Sequence, residues 1–203
     1  MRKAQAHSPT KEKLLEAAQR LMLAKGFPAT TIDGICDAAE LTKGSFFHYF
    51  ESKEDLGKAV LERFCATQFQ RVGNGSFRKK RDPLQRVYGY VDRYIELTKQ
   101  ATLHDGCLLG TFAQELSDTY PSVRTLCAMQ FAQWEEGLNR ELDTAKVQYA
   151  PKASFDTQSL AEHFIAVFEG AWILAKTKRD LNVLDRNLRH FKRYLKSVFE
   201  GGA

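Results

Sequence analysis

The residues best equipped for chemistry crowd between Thr30 and Leu56. Thr42, Lys43, Gly44 and Ser45 have the makings of the first turn of a helix, where backbone N–H groups lack partners and short side chains let an anion approach. Lys43 has the reach for a phosphate or a guanine edge, and Gly44 leaves room for the backbone itself to come close. His48 and Tyr49 would point at base edges or phosphate, whereas Phe46 and Phe50 read as core. Thr31 and Lys53 open the flanking helices and would hold phosphates on either side.

Sets of residues that make or break bonds are missing. There is no G-x-S-x-G, H-E-x-x-H, P-loop or G-x-G-x-x-G string. His7, His48, His104, His163 and His190 show no metal-ligand spacing, and His104-x-x-Cys107 alone is too little for a metal site. Cys36, Cys65, Cys107 and Cys127 are widely spaced with no C-x-x-C pair, which speaks against structural zinc and against a disulfide framework. Neither a cofactor nor a metal is expected, and the chain reads as a non-enzyme. The remaining enzymatic alternative is a helical transferase with Cys107 as nucleophile, which turnover without DNA affinity would favour. A plain helical scaffold leaves Lys43, Gly44, Ser45, His48 and Tyr49 without a purpose.

The elements that must position these residues are helical almost throughout, with no strand alternation. Ser8-Pro9 starts a helix with the stripe Leu14, Leu15, Ala18, Leu21 and Met22, which Gly26 ends. A second helix follows Thr31, a tight turn spans Ala39-Glu40-Leu41, and a short third helix runs from Thr42 to about Tyr49. Ser52 and Asp55 form a capping box for a long fourth helix. After the break Val72-Gly73-Asn74-Gly75-Ser76, helices start at Asp82-Pro83, Asp105-Gly106 and Pro121. A polar loop, about 148–156, precedes a helix through Leu160, Phe164, Phe168 and Trp172, and Asn182 caps the last one. The expectation is an all-α fold of about nine helices.

Two short helices at 32–39 and 42–49, joined by a three-residue turn, have the spacing of a helix-turn-helix, whose second helix enters the major groove. The run from Thr30 to Leu56, with Thr30-Thr31-Ile32, Ile35, Ala39-Glu40-Leu41, Lys43-Gly44-Ser45-Phe46, His48-Tyr49-Phe50 and Ser52-Lys53-Glu54, strongly resembles the DNA-binding domain of the TetR family of bacterial transcriptional regulators. The resemblance covers residues 10–60 in detail, and the helical remainder fits in architecture. It implies a DNA-binding domain over 8–56, with the helix-turn-helix at about 32–50, and a signal-sensing and dimerisation domain over 57–203. It also implies a palindromic operator in double-stranded DNA, most often bound by a repressor. Thr31, Thr42, Lys43, Gly44, Ser45, Phe47, His48, Tyr49 and Lys53 stand at the family's DNA-contacting positions.

Three positions depart from the family pattern. Phe47 stands where tyrosine is frequent, so a phosphate-contacting hydroxyl is missing. Glu40 replaces the usual turn glycine and should carry left-handed strain. Gly34 replaces the acidic residue of a capping box begun by Thr31.

The resemblance further implies a homodimer built through the last two helices, which carry broad apolar stripes and many aromatics. For the signal, the string Gly106-Cys107-Leu108 with Glu115, and Gly170-Ala171 to Ala175-Lys176 downstream, resembles the NemR-type subgroup, repressors of enzymes that detoxify reactive electrophiles. On that resemblance Cys107 senses electrophile or oxidant and Lys176 helps hold its thiolate. If Asp105 caps a helix, Cys107 lies in its first turn, where a thiolate is stabilised, and His104 can add positive charge. The alternative is that Cys107 is a small buried hydrophobe, as Cys36, Cys65 and Cys127 are expected to be. A second kind of sensor is a reversible apolar pocket lined by Tyr90, Tyr94, Phe112, Phe131, Trp134, Phe168 and Trp172, residues that equally read as plain core.

Composition agrees with this reading. The chain has 203 residues and a formal net charge of +5. Charge is balanced over 1–56, positive over 57–80 and 176–203, and negative between them. Basic blocks of this kind are often just solvated faces. No apolar run approaches the roughly 20 residues of a membrane span, and the N-terminus lacks the apolar stretch of a signal peptide, so a cytoplasmic protein without a membrane partner is expected.

Overall fold

The computed structural model of the chain describes residues 8–102 and 106–200. Among them are nine α-helices, one short 3-10 turn and no strand, so the all-α reading holds. The helices are α1 (Pro9–Lys25), α2 (Ile32–Ala39), α3 (Lys43–Tyr49), α4 (Lys53–Gly73), α5 (Pro83–Thr98), α6 (Leu108–Leu116), α7 (Pro121–Tyr149), α8 (Thr157–Lys178) and α9 (Asn182–Glu200), with the 3-10 turn at Ser76–Lys79. The chain divides into two compact units, one of residues 1–67 and 104–130, the other of 68–103 and 131–203.

In the first unit α1 packs on α2, α3 and α6. Leu14, Ala18 and Met22 from α1, Ile35 from α2, Phe46 from α3, Leu56 and Val60 from α4 and Phe112 from α6 are completely buried. Apolar residues at helical spacing thus meet in one core, and the polar face of α3 is left outside. In the second unit α9 packs against α5 and α8. Its core is rich in aromatics: Tyr94 lies 5.8 Å from Trp134 in a stacked pair, and 5.0 and 5.3 Å from Phe164 and Phe168 edge-on.

Several helix starts follow local rules. Asp82 accepts the N–H groups of Leu84 and Gln85 at the head of α5, and Asp156 accepts that of Ser159 at the head of α8. The Ser52 hydroxyl accepts the Asp55 N–H at 3.0 Å, while the Asp55 carboxylate reaches back to the Glu51 N–H at 3.2 Å. Other starts differ from the sequence reading. Ser8 sits at the N-cap of α1 but makes no capping bond, because its hydroxyl is bonded to the Tyr49 hydroxyl at 2.7 Å. Asn182 is the first residue of α9 rather than its cap, and the Asp180 carboxylate accepts its N–H instead. Helix α6 begins at Leu108, so Cys107 is its N-cap and not part of its first turn. The expected cap at Asp105 and the expected cation at His104 lie outside the described residues.

Candidate nucleic-acid interface

The turn between α2 and α3 sets the geometry of this surface. Glu40 has φ 56° and ψ 43°, the left-handed conformation expected from its place in the turn. Its N–H bonds to the Asp37 carbonyl at 3.1 Å and that of Leu41 to the Cys36 carbonyl at 2.9 Å, which closes α2 and redirects the chain. A side chain in this region of backbone space costs about 1 kcal/mol. Thr31 caps α2 by accepting the Gly34 N–H at 3.1 Å, and Thr42 caps α3 by accepting the Ser45 N–H at 3.2 Å. With glycine at position 34, the reciprocal half of the first cap has no side chain to make it.

Helix α3 turns Phe46 inward, fully buried, and Phe47 outward, 56% exposed. Thr30, Thr31, Ile32, Asp33, Lys43, Phe47 and Lys53 border one open concavity of about 330 Å³. Four of the sequence-predicted contact residues, Thr31, Lys43, Phe47 and Lys53, therefore share a single surface. The Lys43 ammonium meets the Asp33 carboxylate at 2.7 Å, and both side chains are 62% exposed. That hydrogen bond, together with the charge of Asp33, raises the Lys43 pKa above its ordinary value. Water screens such an exposed pair, so an incoming anion can compete for the ammonium.

The remaining positions divide by partner. Gly44 has only the Thr42 hydroxyl near its would-be Cβ, at 3.6 Å, an ordinary contact distance. The Ser45 hydroxyl lies 3.1 Å from that of Thr42. His48 is exposed, its ring edge-on to Tyr49 at 4.7 Å. The Tyr49 hydroxyl is engaged with Ser8. Lys53 donates to the carbonyls of Phe27 and Thr30 at 3.0 and 2.9 Å, and burial lowers its pKa. The sequence reading gives Asp33 no role and Ser8 only that of a helix cap. The helical period marks Asp33 as an exposed first-turn residue but carries no signal that it faces Lys43 across the turn.

The candidate sensor residues fall in different units. Cys107 is half-buried at the start of α6 in the first unit, and Lys176 is half-buried on α8 in the second. Cys36, Cys65 and Cys127 are buried, and burial pushes the Cys127 thiol up to about 11. Of the proposed pocket residues, Tyr90, Tyr94, Phe131, Trp134, Phe168 and Trp172 belong to the second unit, where neighbouring rings touch in series. Burial raises the Tyr90 hydroxyl to about 12. Phe112 belongs to the first unit, its ring 5.7 Å from that of Phe27. Among the described residues no group of three or more His, Cys, Asp or Glu is arranged to hold a metal, and no helix is long and apolar enough to cross a membrane.

Comparison with known proteins gives this surface a context. Residues 14–60 match the family of bacterial regulatory proteins, tetR family, and residues 83–191 match the tetracyclin repressor-like C-terminal domain. The chain is 29% identical over 183 residues to the transcriptional repressor DhaR of Mycobacterium sp. (strain GP1), covering 90% of each protein. It is 28% identical to the transcriptional repressor NemR of Escherichia coli K12 over 189 residues, covering 90% of this chain and 92% of that protein. The crystal structure of the reduced form of E. coli NemR superposes with a TM-score of 0.76 over 91% of this chain and 96% of the other. A TetR regulatory protein from Rhodobacter sphaeroides, 26% identical, gives 0.81 over 92% and 98%. With more than half of its length matched by the C-terminal model and the helix-turn-helix matched as well, the chain belongs to the TetR family of bacterial regulatory proteins.

Proposed function

We propose that the chain is a dimeric transcriptional repressor that holds a palindromic operator and releases it when a signal reaches the domain over 57–203. The observation that carries the DNA-binding half is the shared concavity of Thr31, Lys43 and Phe47 beside the exposed first turn of α3. Thr42, Gly44, Ser45 and His48 lie along the same helix or at its cap, with Tyr49 tying its end to the start of α1. Thr31 serves as a phosphate contact, Lys43 exchanges Asp33 for a phosphate or a guanine, and Phe47 offers an apolar ring suited to a thymine methyl.

Helices α8 and α9 supply the dimer face. Ile173 and Leu174 on α8 are 50% and 43% exposed, Tyr194 on α9 is exposed, and a Cβ at Gly170 would meet open space. Two copies packed through these faces bury that surface and place two recognition helices on successive half-sites. Leu174→Glu should give a monomer by light scattering.

For the signal, the relatives named NemR and DhaR are repressors, and the NemR structure is of a reduced form. Carried over to this chain, the receiving group is Cys107, half-buried at the N-cap of α6. The second reading, a reversible apolar ligand, is supported by the chain of rings from Tyr90 to Trp172. In either case the signal shifts operator affinity only as far as it binds or modifies the two states differently. The test is anisotropy of a labelled duplex selected from a random pool, titrated with protein under reductant and then with N-ethylmaleimide. Tight binding that an electrophile abolishes in wild type and spares in Cys107→Ser supports the thiol. Equal loss in Cys107→Ser rejects it, and failure to retain any duplex rejects the repressor.

A further inference from the structure

Lys53 is the first residue of α4, and its ammonium is turned into the protein. It donates to the carbonyls of Phe27 at 3.0 Å, Thr30 at 2.9 Å and Pro28 at 3.4 Å. An ammonium has three N–H donors, so this set uses all of them. The same nitrogen lies 4.4 Å from the centroid of the Phe27 ring, within cation–π range. Besides the Phe27 N–H, which the Glu115 carboxylate accepts at 2.8 Å, the loop it grips is closed by short-range bonds. The Thr30 N–H reaches the Phe27 carbonyl at 3.1 Å, and the buried Thr30 hydroxyl reaches the Gly26 carbonyl at 2.7 Å. Thr31, the N-cap of α2 and a wall of the concavity, follows immediately.

A phosphate drawn directly to Lys53 would have to break this set of bonds. We propose that Lys53 is a positioning residue: it holds the loop of residues 27–30 so that Thr31 and the start of α2 face the DNA backbone, and it makes no phosphate contact of its own. This rests on the repressor reading above and assigns Lys53 a role opposite to the one its position in the sequence suggests. The lowered Lys53 pKa accords with an ammonium held in the protein rather than in solvent.

Two physical differences separate positioning from contact. A lysine that neutralises one phosphate adds about 0.9 to the slope of log affinity against log salt for each protomer, whereas a positioning residue adds nothing. Arginine replaces lysine well at a phosphate, but its planar fork does not match three carbonyls converging on one point. The full-length chain, with Lys53→Met, Lys53→Arg, Thr31→Ala and the Thr31→Ala/Lys53→Met double variant, should be titrated against a duplex selected from a random pool at several salt concentrations. The expected result is a loss of tenfold or more in both Lys53 variants with an unchanged salt slope. The double variant should bind no worse than the weaker single variant, because both act through one element. Wild-type affinity in Lys53→Arg, a slope reduced by about 0.9 per protomer in Lys53→Met, or additive losses in the double variant overturns the proposal. If the wild-type chain retains no duplex at all, the repressor reading fails first and takes this one with it.

Discussion

The carboxylate of Glu115, near the end of α6, accepts the backbone N–H of Phe27 at 2.8 Å, 88 positions away in the chain. The Phe27 ring is enclosed by Phe112 at 5.7 Å and Tyr120 at 5.6 Å. A Cβ at Gly57 would come within 2.8 Å of the same ring, so α4 carries a glycine where the ring passes. The loop that leads into α2 is therefore held by α6 through its N–H and by Lys53 through its carbonyls. Cys107 and Glu115 sit at opposite ends of α6, a helix of nine residues. Any displacement of α6 within this unit must carry the loop with it or break the Glu115 bond.

Glu115→Ala leaves a partly buried N–H without its acceptor and should cost about 1–2 kcal/mol of stability. Glu115→Gln keeps an acceptor oxygen and should cost less than half as much. Urea denaturation followed by circular dichroism measures both. Equal midpoints for Glu115→Ala and wild type mean that the bond carries no stability. Gly26→Ala should be worse than either, since Gly26 has φ 81° and its new Cβ would meet the Glu115 carboxylate, the nearer oxygen being Oε1.

On the repressor reading, Asp33, paired with Lys43 at 2.7 Å, competes with DNA for that ammonium. Asp33→Asn removes the competing charge and a like-charge repulsion toward phosphate, so it should raise affinity for any duplex several-fold at low salt and lose that advantage at high salt. Lys43→Ala should lower affinity and reduce the salt slope by about 0.9 for each protomer. Anisotropy against an unrelated duplex at 50 and 300 mM salt reads both effects. Weaker binding by Asp33→Asn would mean that the ion pair orients Lys43 rather than restraining it.

The four cysteines should differ sharply in reactivity. Cys107 is half-buried, while Cys36, Cys65 and Cys127 are buried, so maleimide at pH 8 should label Cys107 first and the others only as the protein unfolds. Burial also gives Cys127 a pH signature. Its thiol holds its proton in the folded state up to about 11, whereas the unfolded chain releases it near the ordinary thiol value of 9.0. The folded state then binds more protons over that window, and stability falls as pH rises from 9 toward 11. Cys127→Ala should flatten this part of the urea-midpoint profile. Mass spectrometry after brief labelling identifies the first thiol modified, and a first label on any other cysteine rejects the assignment.

The parts of the molecule that were legible in the sequence depend on near neighbours. Thr31, Thr42 and Asp82 cap helices whose N–H groups lie two or three residues on, and the left-handed turn at Glu40 follows from the spacing of α2 and α3. What escaped depends on partners far along the chain. The Ser8 hydroxyl looked like a cap but pairs with Tyr49, 41 positions away. The Lys53 ammonium looked free for phosphate but spans to residues 23 to 26 positions back. Periodicity marked Phe112 as an apolar position without saying that Phe27 covers it, and so it was grouped with the aromatics of the other unit. A helical period reports which face is apolar and is silent on what that face meets.

Gly44 separates the requirements of the fold from those of the surface. It is the second residue of α3, where alanine is at least as favourable as glycine, and its would-be Cβ meets nothing closer than the Thr42 hydroxyl at 3.6 Å. Nothing within the chain therefore calls for glycine at this position. On the repressor reading the reason is external: the first turn of α3 brings its backbone against DNA more closely than a methyl group allows. Gly44→Ala should then be as stable as wild type or somewhat more so in urea, yet bind a selected duplex at least tenfold more weakly. A variant that gains stability and keeps full affinity would place the DNA backbone away from the first turn of α3. It would leave the contact to the long side chain of Lys43 and to Phe47, one turn farther along the helix.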